Sequence, residues 1–239
     1  MLSMPKIDPS LIADFNLFQG LTGEQLAWIV SKAHSVLVAH NNSVFEQSAE
    51  ALSFFLILDG HVRAVRTTPD GEQVIVRYFT VGDPIGIAHA IGRDTYPATA
   101  IAVTDCVVLA WPMAFWVELA EKIPAFGLNA SREIGARLTE NLDRIVEMTT
   151  EQVERRVARA VLRLTQQTGR KTDEGILIDF PISRQDIAEM TGTTLHTVSR
   201  LLSHWEHEQL VKSGRQKVTV VDPHKLFLIA DGHKPANRV

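Results

Sequence analysis

The sequence predicts an α+β chain: an amino-terminal β-roll, a long helix, and a carboxyl-terminal pair of helices flanked by a hairpin. Three observations carry that prediction. Between His34 and about Trp111 the chain is a series of short β-type runs (SVLVAH, SFFLILDG, VRAVRTT, VIVRYF, ATAIAV, CVVLAW). They are broken at Asp59-Gly60, Pro69-Asp70-Gly71, Val81-Gly82-Asp83 and Gly92, as many strands joined by tight turns would be. After Trp111-Pro112 the apolar period becomes helical, and near the end two short amphipathic segments meet at Gly192.

The elements follow in order. LTGEQLAWIVSKA reads as a helix leading into the β-roll, and MAFWVELAEK as a short helix that Pro124 ends. From there to about Met148 only Gly127 and Gly135 interrupt a second, longer helix. Along it Ile134, Leu138, Asn141, Ile145 and Met148 recur at steps of four and three, the spacing of a coiled-coil seam. That stripe is assigned to dimerisation, with Asn141 fixing register, while Leu142 and Val146 on an adjacent face are expected to pack on the β-roll. Thr149-Thr150-Glu151 starts a further helix, with Val153, Val157, Ala160, Val161 and Leu164 on one face and Gly169 ending it. A strand, ILIDFPI, comes next. The division is a β-roll domain over 1–123, a long dimerisation helix over 124–150 and a helical domain over 151–239.

Composition narrows the function. The 239 residues are 45% hydrophobic and 22% charged, which suits one large or two modest globular domains. No apolar run approaches the roughly 18 residues of a membrane span, and MLSMPKIDPS lacks the regions of a signal peptide, so a cytoplasmic protein without membrane partners is expected. Cys106 is the single cysteine, which excludes an internal disulfide and an iron-sulfur cluster held by several thiolates of one chain. No H-x-H pair with a carboxylate and no nucleophile-elbow spacing occurs, so an enzyme is not expected. Charge is uneven: residues 1–150 hold 10 Lys+Arg against 17 Asp+Glu, net −7, and residues 151–239 hold 14 against 11, net +3. The carboxyl-terminal part is the one suited to a polyanion.

That part contains ISRQDIAEMTGTTLHTVSRLLSHWEHEQLV. Ser183 is placed to cap a first helix, with Asp186 three residues on, and Ile187, Ala188 and Met190 form its inward face. Gly192 permits a sharp turn. Thr193 or Thr194 then caps a second helix, whose inward face is Leu195, Val198, Leu201, Leu202 and Trp205. This is helix-turn-helix geometry, in which the second helix enters the DNA major groove. The residues offered to DNA are Thr194, His196, Thr197, Ser199 and Arg200. Arg200 is the candidate base reader, because a guanidinium can donate twice to guanine. Ser199, Thr197, Arg184 and Gln185 suit phosphates. LVKSGRQKVTVVD adds two β runs around Ser213-Gly214, a wing that brings Lys212, Arg215 and Lys217 near the backbone.

With these motifs in place the chain resembles, over nearly its full length, the bacterial family of the cyclic-AMP receptor protein and the fumarate-nitrate reductase regulator (CRP/FNR). The resemblance rests on GDPIG at Gly82 to Gly86, the long helix and ISRQDIAEMTGTTLHTVSRLL. It implies a cyclic-nucleotide-binding-like sensory β-roll and a homodimeric activator that binds palindromic double-stranded DNA and engages RNA polymerase. It places the effector pocket at Gly86, Ile87, His89 and Tyr96. Where cyclic AMP receptors carry an acidic residue and an Arg-Ser pair, this chain has Ile87 and Tyr96-Pro97, so cyclic AMP is not expected. PIGIAHAIG and TGTTLHTVSRLLS resemble the NnrR-like regulators of nitrite and nitric oxide reductases, which implies nitric oxide sensing, for which haem is the simplest metal centre. His89 is then the first candidate axial ligand, ahead of His61 and His34. The other reading is a regulator of this type that binds DNA without an effector or with a small molecule other than cyclic AMP. His196 stands where the family usually has glutamate, so the half-site is expected to differ at one position from the family's TTGA-type sequence.

Overall fold

The computed structural model describes residues 7–233. It divides into two compact units, one of residues up to Thr67 together with Tyr78–Asn141, the other of Thr68–Arg77 together with Leu142 onward. In the first unit two short 3-10 helices (Pro9–Ile12 and Asn16–Phe18) precede α1 (Gly23–Ser31), which is started by a capping box in which the Thr22 hydroxyl accepts from Gln25 N and the Gln25 side chain accepts from Thr22 N. Eight strands follow along the chain, of which β5 has only Tyr78 and Phe79 in this unit: β1 (His34–Val38), β2 (Ser43–Phe45), β3 (Ser53–Asp59), β4 (Val62–Thr67), β5 (Gln73–Phe79), β6 (Pro84–Ile85), β7 (Thr99–Ala102) and β8 (Cys106–Pro112). They form two four-stranded sheets, ordered β1-β8-β3-β6 and β2-β7-β4-β5. The six expected runs are all strands. The short β2 and β6 escape a reading based on alternation, having three and two residues.

The core fills from β3 and β8, whose continuous apolar runs are buried on both faces. Trp111 is fully buried, stacks on Phe54 with centroids 5.2 Å apart, and donates its indole N–H to Ile29 O at 2.9 Å. Two helices leave this core, α2 (Met113–Lys122) and α3 (Pro124–Thr150). Phe126 of α3 is fully buried, 5.0 Å from the Trp116 ring. The buried Asn129 amide donates to Leu17 O and Gln19 O. The first turns of α3 are therefore fixed to the β-roll, and Ile134 is half-buried against the same core.

The packing expected of Leu142 and Val146 requires a correction. Leu142 and Val146, expected on the β-roll, are 54% and 58% exposed, comparable with Leu138 at 58% and Ile145 at 60%. A stripe with two apolar faces reads alike in both directions; here the first turns already bury Phe126 and Asn129, and Ile134 faces inward. The face left in water runs Leu138, Leu142, Ile145, with Val146 beside it and Met148 38% exposed.

The second unit continues with α4 (Val153–Thr168), which buries Val157, Ala160, Val161 and Leu164. Gln152 stands at its start without a side-chain cap, and α3 runs through Thr150, so this helix begins after Thr149-Thr150-Glu151 rather than at them. A four-stranded sheet, ordered β11-β12-β10-β9, contains β9 (Gly169–Thr172), β10 (Gly175–Ile178), β11 (Val211–Gly214) and β12 (Lys217–Val220). The helical pair is α5 (Arg184–Thr191) and α6 (Leu195–His207), and α7 (Pro223–Ala230) closes the unit against α4.

Candidate nucleic-acid interface and effector cavity

The turn between α5 and α6 is built by three local devices. Ser183 caps α5 in a capping box: its hydroxyl accepts from Asp186 N at 3.0 Å, and the Asp186 carboxylate accepts from Ser183 N at 2.7 Å. Gly192 ends α5 in the left-handed region, φ 58°, which costs other residues about 1 to 2 kcal/mol. Thr194 rather than Thr193 caps α6, accepting from Thr197 N at 3.2 Å. Its hydroxyl also lies 3.0 Å from that of Thr197, so both are engaged in holding the first turn.

Val198, Leu202 and Trp205 bury one face of α6, and the Trp205 indole donates to Glu154 Oε1 at 3.3 Å. The opposite face presents His196 and Arg200 at a spacing of four, both exposed. Among the described residues neither has a hydrogen bond or an ion pair, so both side chains keep all their donors. Ser199, one residue before Arg200, is half-buried. Leu195 departs from expectation: helical periodicity places it inward, yet it is 43% exposed at the first turn beside His196. A position this close to the cap lies ahead of the core that α6 packs on. Its exposure beside two polar residues is the signal that sequence periodicity overlooked.

The flanking groups divide into held and free. The Arg184 guanidinium donates to Ser213 Oγ at 3.0 Å, tying α5 to the wing, and the Gln185 amide donates to Glu189 Oε1 at 3.0 Å. The wing turns at Arg215-Gln216 rather than Ser213-Gly214, because Gly214 pairs with Lys217 across the hairpin. Lys212 is held by Glu174 at 2.8 Å, whereas Arg215 and Lys217 at the tip are exposed with no partner among the described residues. Lys171, on the exposed strand β9, is free in the same way.

The β-roll unit holds a cavity of about 320 Å³. Phe45, Phe79, Ile85, Gly86, Ile87 and Pro97 contribute to its wall, and α3 supplies Ile134, Arg137, Leu138 and Asn141. Gly86 turns the chain at φ 69°, where a Cβ would stand 3.1 to 3.2 Å from the rings of Phe45, Phe55 and Tyr96. Of the four residues expected at the effector site, Gly86 and Ile87 line this cavity and the other two do not. Tyr96 is buried behind Phe45, stacked on it at 4.0 Å, with its hydroxyl donating to Ser53 O at 2.7 Å; burial pushes its pKa above the ordinary 10.0. His89 is exposed, Nε2 3.6 Å from Asp94 Oδ1. No histidine, cysteine or methionine is among the lining residues, so the cavity offers haem no axial ligand of the usual kinds. Among the described residues, no group of three or more His, Cys, Asp or Glu could hold a metal ion.

Comparison with known proteins joins the two sites. The family profile described as a Crp-like helix-turn-helix domain matches residues 155–228, and that of a cyclic nucleotide-binding domain matches residues 36–122. The chain is a DNA-binding transcription regulator of the CRP/FNR type. It is 27% identical to the cyclic AMP receptor protein of Thermus thermophilus over 216 residues, 90% of this chain and 97% of the relative. It is likewise 27% identical to the nitrogen fixation regulation protein FixK of Bradyrhizobium diazoefficiens over 190 residues, 79% of this chain and 78% of the relative. The solved structure of FixK2 from Bradyrhizobium japonicum shares the fold, with a TM-score of 0.73 at 19% identity over 86% of this chain and 99% of that one. The family is one of regulators, not enzymes, and its members bind DNA and act as dimers. Among the described residues no helix is long and apolar enough to cross a membrane.

Proposed function

We propose that this CRP/FNR-type regulator binds a palindromic site as a homodimer through α6, under control of a small effector other than cyclic AMP held in the β-roll cavity. The observation that carries the reading is the α6 face: His196 and Arg200 are exposed and unpaired on a helix whose start is fixed by Thr194. A free guanidinium on the first turns of such a helix can donate twice to guanine O6 and N7. His196 offers a donor or acceptor to a neighbouring base, and Ser199 and Thr197 lie at the phosphate margin. Arg184 and Gln185 anchor the first helix against the backbone. Lys217 adds a charge contact that carries no sequence information. RNA polymerase is the partner through which a bound activator would act.

Cyclic AMP is set aside because the single guanidinium of the cavity, on Arg137, donates to Pro84 O at 2.6 Å, and because Tyr96-Pro97 replace the phosphate-binding pair. The finer reading, control of nitrogen-oxide genes in response to nitric oxide, rests on the resemblance of Pro84–Gly92 and Thr191–Ser203. Haem would need a ligand outside the cavity lining. Soret absorbance of haem-reconstituted protein, before and after nitric oxide, tests that reading, and a flat spectrum sinks it.

The central test is selection of bound sequences from a randomised duplex pool, with sedimentation of the complex. The expected result is one dimer on two inverted half-sites about 34 Å apart, centre to centre. Binding without inverted symmetry overturns the proposal.

A further inference from the structure

Granted the effector-responsive reading above, we propose that the cavity takes an uncharged, predominantly apolar small molecule, with Asn141 as its one hydrogen-bonding partner. At about 320 Å³ the cavity stands at the small end of ligand sites, which run from about 300 to 1,000 Å³. Twelve of its fourteen lining residues bring only apolar side chains or a glycine; Arg137 and Asn141 are the exceptions.

Arg137, the one charged group of the wall, is already engaged within the protein. Its Nη2 donates to Pro84 O at 2.6 Å, and its guanidinium carbon lies 5.3 Å from the Phe79 ring centroid. Its charge is answered by Glu133, 4.0 Å away, and the side chains are only 17% and 19% exposed. A carboxylate or phosphate entering here would exchange water for a mostly apolar wall and would share the one guanidinium with Glu133 and Pro84 O. Burying a charge without a partner is strongly unfavourable, whereas an uncharged apolar molecule loses nothing at this wall. Asn141, exposed on α3 and assigned above to the dimer seam, also lines this cavity, and its carboxamide has no hydrogen bond among the described residues. It can offer a donor and an acceptor to one polar end of the ligand, such as a hydroxyl or ketone. Ile134, Leu138 and Asn141 are spaced four and three apart, so the ligand would lie along one stripe of α3.

The test uses the full-length protein and three probes: the neutral fluorophore N-phenyl-1-naphthylamine, decanol, and decanoate at pH 8. The expected result is one fluorophore per chain, displaced by decanol at concentrations at least tenfold lower than decanoate. Ala98→Phe, which fills the cavity, and Ile91→Asp, which puts a charge at a half-exposed wall position where the fold can bear it, should each weaken the fluorophore at least tenfold. Decanoate competing as well as decanol would overturn the proposal by making Arg137 an anion receptor. So would fluorophore binding that survives both substitutions, or its absence from the unsubstituted protein. Selection of DNA by the same preparation, with and without the probe, separates the outcomes: intact operator binding with failed probe binding removes only the ligand class, while absence of operator binding in both conditions removes the regulator reading itself.

Discussion

Arg200→Ala isolates sequence reading from everything else α6 does. The side chain is exposed and has no partner among the described residues, so truncation should change folding stability by no more than about 0.5 kcal/mol. Against DNA the loss is different in kind. A bidentate contact to guanine contributes about 1 to 3 kcal/mol of discrimination, or roughly 5- to 150-fold, at each half-site, and a symmetric dimer makes it twice. The assay is competition fluorescence anisotropy on the selected operator and on duplexes in which each guanine of the half-site is replaced, with wild type and variant measured side by side. The cycle gives the coupling directly: the wild type should lose about 5- to 150-fold on replacement of one particular guanine in a single half-site, and the square of that factor when both half-sites are changed, and the variant should be indifferent to that base. Lys217→Ala supplies the contrast, weakening all duplexes alike and lowering the slope of affinity against salt by about one charge per site. Equal penalties for guanine replacement in wild type and in Arg200→Ala would refute the assignment.

Further outcomes follow from packing and titration. Trp205→Ala removes a fully buried indole from α6 and leaves Glu154 without that donor, so the urea transition of the DNA-binding unit should lose about 3 to 5 kcal/mol. Leu142→Glu charges a face of α3 that the described residues leave exposed; sedimentation should show monomers, and operator affinity should fall about 10²- to 10⁴-fold as the two half-sites lose their linkage. Burial pushes the Cys106 thiol above its ordinary 9.0, although it donates to His61 O and Thr104 O. Above pH 9.0 the unfolded chain therefore ionises first and folding stability falls. Between pH 8 and pH 10 wild type should lose more stability than Cys106→Ala in denaturant titrations, and equal losses would contradict the thiol's burial.

Legibility in the sequence followed how locally each feature is specified. The capping box at Ser183, the left-handed Gly192 and the Thr194 cap are written within a few residues, and the chain folds as those residues direct. Arg200 and His196 were legible because polar residues at a spacing of four on a helix with a buried opposite face have one place to point. Direction was lost where two faces competed. Leu142 and Val146 are indistinguishable by period from Ile134, and only the anchoring of Phe126 and Asn129 decides which side meets the core. The segment around His89 is a turn followed by four residues of 3-10 helix, in which no periodicity aims a side chain, and both His89 and Tyr96 stand outside the cavity they were expected to line. β9 is exposed along its whole length and shows no alternation. α7 did carry a signal, Asp222 capping ahead of Pro223 at the first helical position, hidden by the β pattern that precedes it.

Leu195 gives recognition a thermal signature. An aliphatic group standing in water on the first turn of α6 is hydrated in the free protein, and a thymine methyl is the base feature it can cover. Closing that contact releases ordered solvent, so it should appear as a more negative heat capacity of association rather than as a shift in salt slope. An operator carrying deoxyuridine in place of that thymine keeps every hydrogen-bonding edge and lacks only the methyl. Calorimetry with the two operators across a range of temperature would then separate the oily part of sequence recognition from the part written in hydrogen bonds.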